Sequence, residues 1–260
     1  TTPVDEEPFV LNMDVPEWSK NANIYEVNVR QYTPEGTFNA FATHLPRLQK
    51  MGVDILWFMP IYPIGEVKRK GTEGSYYSVK DYKAVSPKHG TIDDFKNVVK
   101  QAHELGMKVI LDWVPNHTSW DNDWIDQHPK WYSRDDKGEI IAPYDWTDVA
   151  DLNYDMYYMR EAMTDAMLYW IKEVDLDGFR CDVAGEVPLD FWEDTRAKLD
   201  QEKEIWMITK DKLVIDFNVT EKTLGFFGRK TSSYKNFVIN QPKENGFYDG
   251  ITKVEVSDSV

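Results

Sequence analysis

Two residues on one short apolar segment have the types and spacing for joint chemistry. In GFRCD, residues 178–182, Arg180 and Asp182 stand two apart. On an extended strand that spacing puts both side chains on one face. A guanidinium beside a carboxylate favours the ionised form. An ionised carboxylate is what a nucleophile attacking a sugar carbon must be. A structural ion pair would have the same spacing, so spacing alone leaves both readings open. A second polar group follows KVILD, residues 108–112: it comprises Asp112 itself, then Asn116 and His117.

These residues need a frame. IYEVNV at 24–29 reads as a strand, and 38–50 as one helix with Phe38, Phe41, Leu45 and Leu48 on a single face, ended by the Met51–Gly52 step. ILWFM at 55–59 is apolar throughout, as a strand buried on both faces would be, and Pro60 stops it. A long loop runs to about residue 90. Thr91 then reads as an N-cap, with Asp93 and Asp94 in the first turn of a helix that reaches Leu105. The third strand is 108–112 and the fourth 178–182. A long amphipathic helix at 156–174 precedes the fourth strand, a helix at 188–199 follows it, and a fifth strand spans 204–209. Residues 118–152 are polar, Trp-rich and too long for a simple loop, so a small inserted subdomain is expected there. Residues 1–20 read as an extended lead-in.

Alternating strands and helices give an α/β fold with a parallel sheet. A doubly wound sheet and a (β/α)8 barrel compete, and no Gly-rich phosphate turn follows the first strand to favour the former. In a barrel the chemistry sits at the C-terminal strand ends, where Asp112 and Arg180–Asp182 lie.

Composition narrows the partners. A net charge of −15 repels phosphates and anionic lipid, so no nucleic-acid partner is expected. No apolar run approaches the length of a membrane span. Cys181 is the single cysteine, which rules out an internal disulfide. Aromatic residues make up 14% of the chain; such rings fill cores and also stack on sugars. The sequence starts at Thr1 with no basic and apolar leader, so export is not read from these residues.

Four segments share one further property. LDWVPNHTS (111–119), DGFRCDVAGEVP (177–188), GSYYSVKDY (74–82) and VADLNY (149–154) resemble, in order, signature stretches of the α-amylase family of glycoside hydrolases, family 13. The resemblance covers roughly residues 20–209. It implies the first half, about five βα units, of a TIM-type (β/α)8 barrel, with the B subdomain at about 118–152. It implies Asp182 as nucleophile, Arg180 as the group that orients it, and Tyr77 and His117 as contacts to the sugar at the cleaved bond. Asp112 and Asn116 match positions that brace the site, with Asp112 also placed among the substrate-binding residues. Asn116 and Asp151 match calcium-ligand positions, although Gly185 and Glu186 replace a basic residue and a histidine that often follow the nucleophile. An α-glucan or maltooligosaccharide substrate and a secreted or periplasmic location are further implications.

The sequence departs from the family where the acid/base glutamate is expected. The fifth strand, IWMIT, is followed by Lys210. A lysine, with a reference pKa near 10.4, is a poor proton donor at neutral pH. Glu202 and Glu204 lie at the wrong end of that strand, and Asp211 points elsewhere if the strand continues. The family's third carboxylate, in an Asn-His-Asp segment, finds only the faint FVINQP at 237–242, with Gln241 and Pro242 in place of the His and Asp. Residues 210–260 alternate short apolar runs with Gly, Asn and Lys, which reads as a β-rich segment without a match to the family. An unclosed sheet would expose an edge, so self-association through it is expected. Three activities follow: a retaining glycosidase, a non-catalytic carbohydrate-binding protein on the same scaffold, or a transglycosylase.

Overall fold

The computed structural model describes residues 16–208. Five parallel strands form the main sheet in the order β1 (Ile24–Val27), β2 (Ile55–Phe58), β3 (Lys108–Trp113), β6 (Gly178–Cys181) and β7 (Trp206–Ile208). β4 (His117–Ser119) and β5 (Val149–Asp151) pair antiparallel in a separate ribbon. The helices are α1 (Val29–Tyr32), α2 (Phe38–Ala42), α3 (Leu45–Lys50), α4 (Ile92–Glu104), α5 (Trp124–Gln127), α6 (Tyr157–Val174) and α7 (Leu189–Asp200).

Strand alternation sorts the two sheet faces. Leu56, Phe58, Val109, Leu111, Trp113, Phe179, Cys181 and Met207 join the core cluster together with Phe95 and Val98 of α4 and Met163, Met167 and Trp170 of α6. Trp57, Ile110, Asp112 and Arg180 point the other way, and they too are buried. Both faces are therefore covered, which is why ILWF reads as an unbroken apolar run. In register, Trp57 lies opposite Ile110, and Asp112 opposite Arg180.

Several expectations are corrected. The single helix at 38–50 is two, α2 and α3, because Pro46 has no N–H to continue the ladder onto Ala42. The first strand stops at Val27, and Asn28 turns the chain into α1. Of the lead-in, residues 1–15 lie outside the described residues. Glu17–Ser19 is not extended but forms a 3-10 turn, where Trp18 meets Trp206 edge-on at 5.9 Å. The helix at 91–105 starts as expected: Thr91 and Asp94 form a reciprocal capping box. The expected β-rich segment at 210–260 and the residue at 210 lie outside the described residues. No described helix is long and apolar enough to cross a membrane.

Two features hold β6 in place. At its start, the Asp177 carboxylate accepts from the Val109 amide at 2.9 Å, from Lys108 Nζ at 2.9 Å and bonds His103 Nε2 at 2.6 Å, tying β6 to β3. Burial opposes that charge, yet His103, the Val109 amide and Lys203 hold the carboxyl well below the usual range. Next along the chain, Gly178 leaves no room for a side chain: a Cβ there would sit 1.9 Å from the Trp206 carbonyl oxygen. The β6–β7 pairing therefore requires glycine. Gly178→Ala is expected to cost about 3 kcal/mol or more, the upper range for overpacking a rigid site. Urea unfolding followed by circular dichroism measures this, and a loss below about 1 kcal/mol would show that β7 yields easily.

Candidate active site

Asp182 directly follows β6, and its amide donates to the Trp113 carbonyl at 2.8 Å, so the residue is fixed beside the end of β3. Arg180 Nη1 donates to Asp182 Oδ1 at 2.7 Å and to Asp112 Oδ1 and Oδ2 at 2.9 and 3.2 Å. One guanidinium nitrogen thus serves two carboxylates. The Asp112 and Arg180 side chains are almost wholly buried, whereas Asp182 keeps 14% of its side-chain surface exposed. Of the three, the outermost carboxylate is the one that reaches solvent.

Asp112 is held from three further directions. Trp57 Nε1 donates to Oδ2 at 3.1 Å, the Tyr77 hydroxyl donates to the same oxygen at 3.3 Å, and Tyr62 bonds the Asp112 carbonyl at 3.0 Å. Burial lifts the Asp112 carboxyl to about 7 against the pull of Arg180, and the charge of Asp182 adds to the lift. At 0% exposure Asp112 cannot line a binding surface. Its expected place among the substrate contacts is corrected: it braces Arg180 and Tyr77 from beneath. Burial and the nearby Asp112 raise the Tyr77 phenol far above its ordinary value, so it remains a donor.

A cleft of about 340 Å³ brings Tyr77, His117 and Asp182 together with Trp146, Asp148 and Val183. His117 begins β4 and is 3% exposed. Burial lowers its imidazole to about 4 despite Asp148, which favours the charged form, so the ring is neutral at physiological pH. Its ring meets Trp146 edge-on at 5.6 Å. Asp148 also pairs with Lys70 Nζ at 3.0 Å. Val183, next to Asp182, has φ 40° and ψ 42°. A β-branched residue in that left-handed region stores strain of order 1–3 kcal/mol, as functional sites often do.

Trp57, Trp146 and Asp148 were missed in the sequence. Trp57 carried a signal: a tryptophan in a strand buried on both faces usually finds an acceptor for its N–H. Trp146 and Asp148 lie in a stretch without periodicity and carried none.

Asn116 and Asp151, expected as calcium ligands, lie on neighbouring segments: His117 pairs with Asp151 in the β4–β5 ribbon, and the Leu152 amide donates to the Asn116 carbonyl at 3.1 Å. Asn116 Nδ2 bonds His117 Nδ1 at 3.3 Å. Burial raises the Asp151 carboxyl, with Ser133 opposing and Glu186 adding to the rise. Among the described residues no three His, Cys, Asp or Glu side chains gather as metal ligands, whereas calcium takes about 6–8 oxygens. No step is assigned to the ion.

The model of the alpha-amylase catalytic domain matches residues 16–148 and 127–257. The chain belongs to the alpha-amylase family. The second match also takes in the segment in which no signature was legible. Alpha-amylase 3 of Dictyoglomus thermophilum is 32% identical in an alignment 198 positions long that covers 65% of this chain and 38% of that protein. The trehalose synthase of a Pimelobacter species is 32% identical in an alignment 205 positions long that covers 64% of this chain and 35% of that protein. A solved alpha-amylase from Lactobacillus plantarum is 35% identical with a TM-score of 0.72, and covers 92% of this chain and 60% of its own. The chain thus spans little more than a third of the length of these curated relatives. The sheet described above is part of the family's barrel, and Asp182 lies at the strand end where such barrels carry their chemistry.

The buried His117 makes stability depend on pH. Its imidazole takes a proton near 6.5 when unfolded and near 4 when folded. The unfolded state therefore binds more protons between these values. The contribution is fully present above about 6.5 and is lost as pH falls towards 4. His117→Gln is expected to remove up to about 3 kcal/mol of the stability difference between pH 7 and pH 4. Urea titrations of both proteins at the two pH values check this; identical pH slopes would contradict it.

Proposed function

We propose that this chain carries the nucleophile half of a retaining glycoside hydrolase that acts on α-glucans. The observation that carries the reading is the 2.7 Å contact of Arg180 Nη1 with Asp182 in a cleft shared with Tyr77 and His117. In this reading the substrate's anomeric carbon sits over Asp182. A carboxylate oxygen bonds that carbon, the glycosidic C–O bond breaks, and the leaving oxygen takes a proton from water, because Lys210 stands where the family has its acid. Water then cleaves the glycosyl ester. Arg180 orients Asp182 and keeps it charged. The Tyr77 ring stacks on the sugar, and the neutral His117 ring contacts its hydroxyls without adding charge. The family's proton donor belongs to the fifth strand's end, where the sequence has Lys210. The substrate class is supported by the names of the relatives, which include alpha-amylases.

Two alternatives rest on specific observations. Lys210 in place of an acid favours a protein that binds saccharide without turnover. The similarity to a trehalose synthase favours transfer of the glycosyl group to a second sugar.

Incubation with soluble starch tests the reading. The chain is expected to release reducing sugar, and Asp182→Asn to lower the rate by about 10³ or more, as loss of a covalent nucleophile does. Binding of maltooligosaccharide with no release would favour the binding protein. Release unaffected by Asp182→Asn would exclude Asp182 as nucleophile.

A further inference from the structure

Trp146 and Asp148 line the cleft, yet they lie in a stretch of turns, 143–148, with no strand or helix of its own. The loop after β2 holds that stretch from outside. Between Gly65 and Gly74 the loop reads GEVKRKGTEG, with three basic residues in a row. Arg69, in the middle, turns back onto its own loop. Its Nε donates to the Gly65 carbonyl at 2.8 Å and its Nη2 to the Ile64 carbonyl at 3.2 Å. The base of the loop is seated tightly: a Cβ at Gly65 would lie 2.2 Å from the Ser119 Cβ of β4, and the Glu66 amide donates to Asp121 Oδ2 at 3.0 Å.

Lys68 and Lys70, on either side of Arg69, make their contacts with the inserted subdomain instead. Lys68 Nζ stands 3.2 Å over the Trp120 ring, and Trp120 Nε1 donates to the Thr147 carbonyl at 3.0 Å. Lys70 Nζ lies 3.0 Å from Asp148 Oδ1 and donates to the Asp145 carbonyl at 3.4 Å. Further along the same loop, Ser78 Oγ donates to the Asp148 carbonyl at 3.2 Å. Trp146 is thus bracketed: Asp145, Thr147 and Asp148 are each held from the loop, directly or through Trp120.

The two ends of the Lys70–Asp148 pair differ. Lys70 keeps 53% of its side-chain surface exposed and lines no part of the cleft, whereas Asp148 keeps 10% and forms part of its wall. A pair between two exposed groups contributes little. Here one partner is a carboxylate largely withdrawn from water, and leaving it without its cation is costly. Loss of Lys70 therefore favours a rearranged 145–148 segment. We infer that Lys70 is a positioning residue: from outside the cleft, through Asp148, it holds the wall formed by Trp146 and Asp148 where a bound sugar meets it. Lys68 supports the same segment through Trp120. This inference rests on the function proposed above.

Calorimetric titration of the whole chain with maltotriose tests it, in an Asp182→Asn background that prevents turnover. Lys70→Met keeps an unbranched stem and removes the charge. It is expected to weaken binding about fivefold, equivalent to about 1 kcal/mol. Lys70→Arg, which restores a cation, is expected to bind within about twofold of the background. Because the lysine is half in solvent, the thermal midpoints of all three proteins should agree within about 4 °C. With Asp148→Asn also present, the same Lys70→Met change should cost less than about twofold, since the partner it acts through is gone. Binding by Lys70→Met equal to that of its parent, a loss that arginine does not restore, or an equal loss with Asp148→Asn present would each overturn the inference while the reading of Asp182 stands. If the background itself binds no maltotriose, both fall.

Discussion

A single nitrogen of Arg180 lies between two carboxylates, and the rest of the site depends on that contact. Asp112 is wholly buried and Asp182 partly so, and neither charge would be tolerated there without a cation between them. Removing the guanidinium would leave two like charges close together in a low-dielectric pocket. The ion cluster is therefore weak evidence about stability and strong evidence about geometry. It fixes which carboxylate is buried and which one faces the cleft.

The fold supplies this arrangement through register. Parallel pairing sets Asp112 opposite Arg180, and the period of two puts both on the face away from α4 and α6. At the start of β6, Gly178 lets β7 approach and Asp177 ties the strand to β3. The charged group at Asp177 lies at the N-terminal ends of the strands and serves cohesion. The group at Arg180 lies at the C-terminal ends and faces the cleft. β6 is thus flanked by one acid that ties it to β3 and one that faces the cleft, with four buried residues between them.

Local signals were legible in the sequence. The Arg180–Asp182 spacing, the Thr91 cap and the apolar run of β2 each depend on neighbours within a few residues. Features set by distant partners were not. The hydrogen bond from Trp57 to Asp112 joins residues 55 positions apart and exists only because β2 and β3 pair in this register. Pro46 was visible, but the apolar period of residues 38–50 masked the break it makes. The left-handed turn at Val183 has no glycine or asparagine to announce it. Asp112 reads in the sequence both as a brace and as a contact to substrate; its burial and its bond from Tyr77 favour the brace.

The claim that Asp182 is a nucleophile can be separated from the question of the proton donor. In α-maltosyl fluoride the leaving group is fluoride, which departs without protonation. The Asp182 carboxylate would bond the anomeric carbon, the C–F bond would break, and an ester would form whether or not an acid stands at the fifth strand's end. Peptide mapping by mass spectrometry after rapid acid quench reads this directly. The account predicts a maltosyl increment on the peptide bearing Asp182, absent from Asp182→Asn. An adduct on another residue, or no fluoride release from the folded chain, would contradict it.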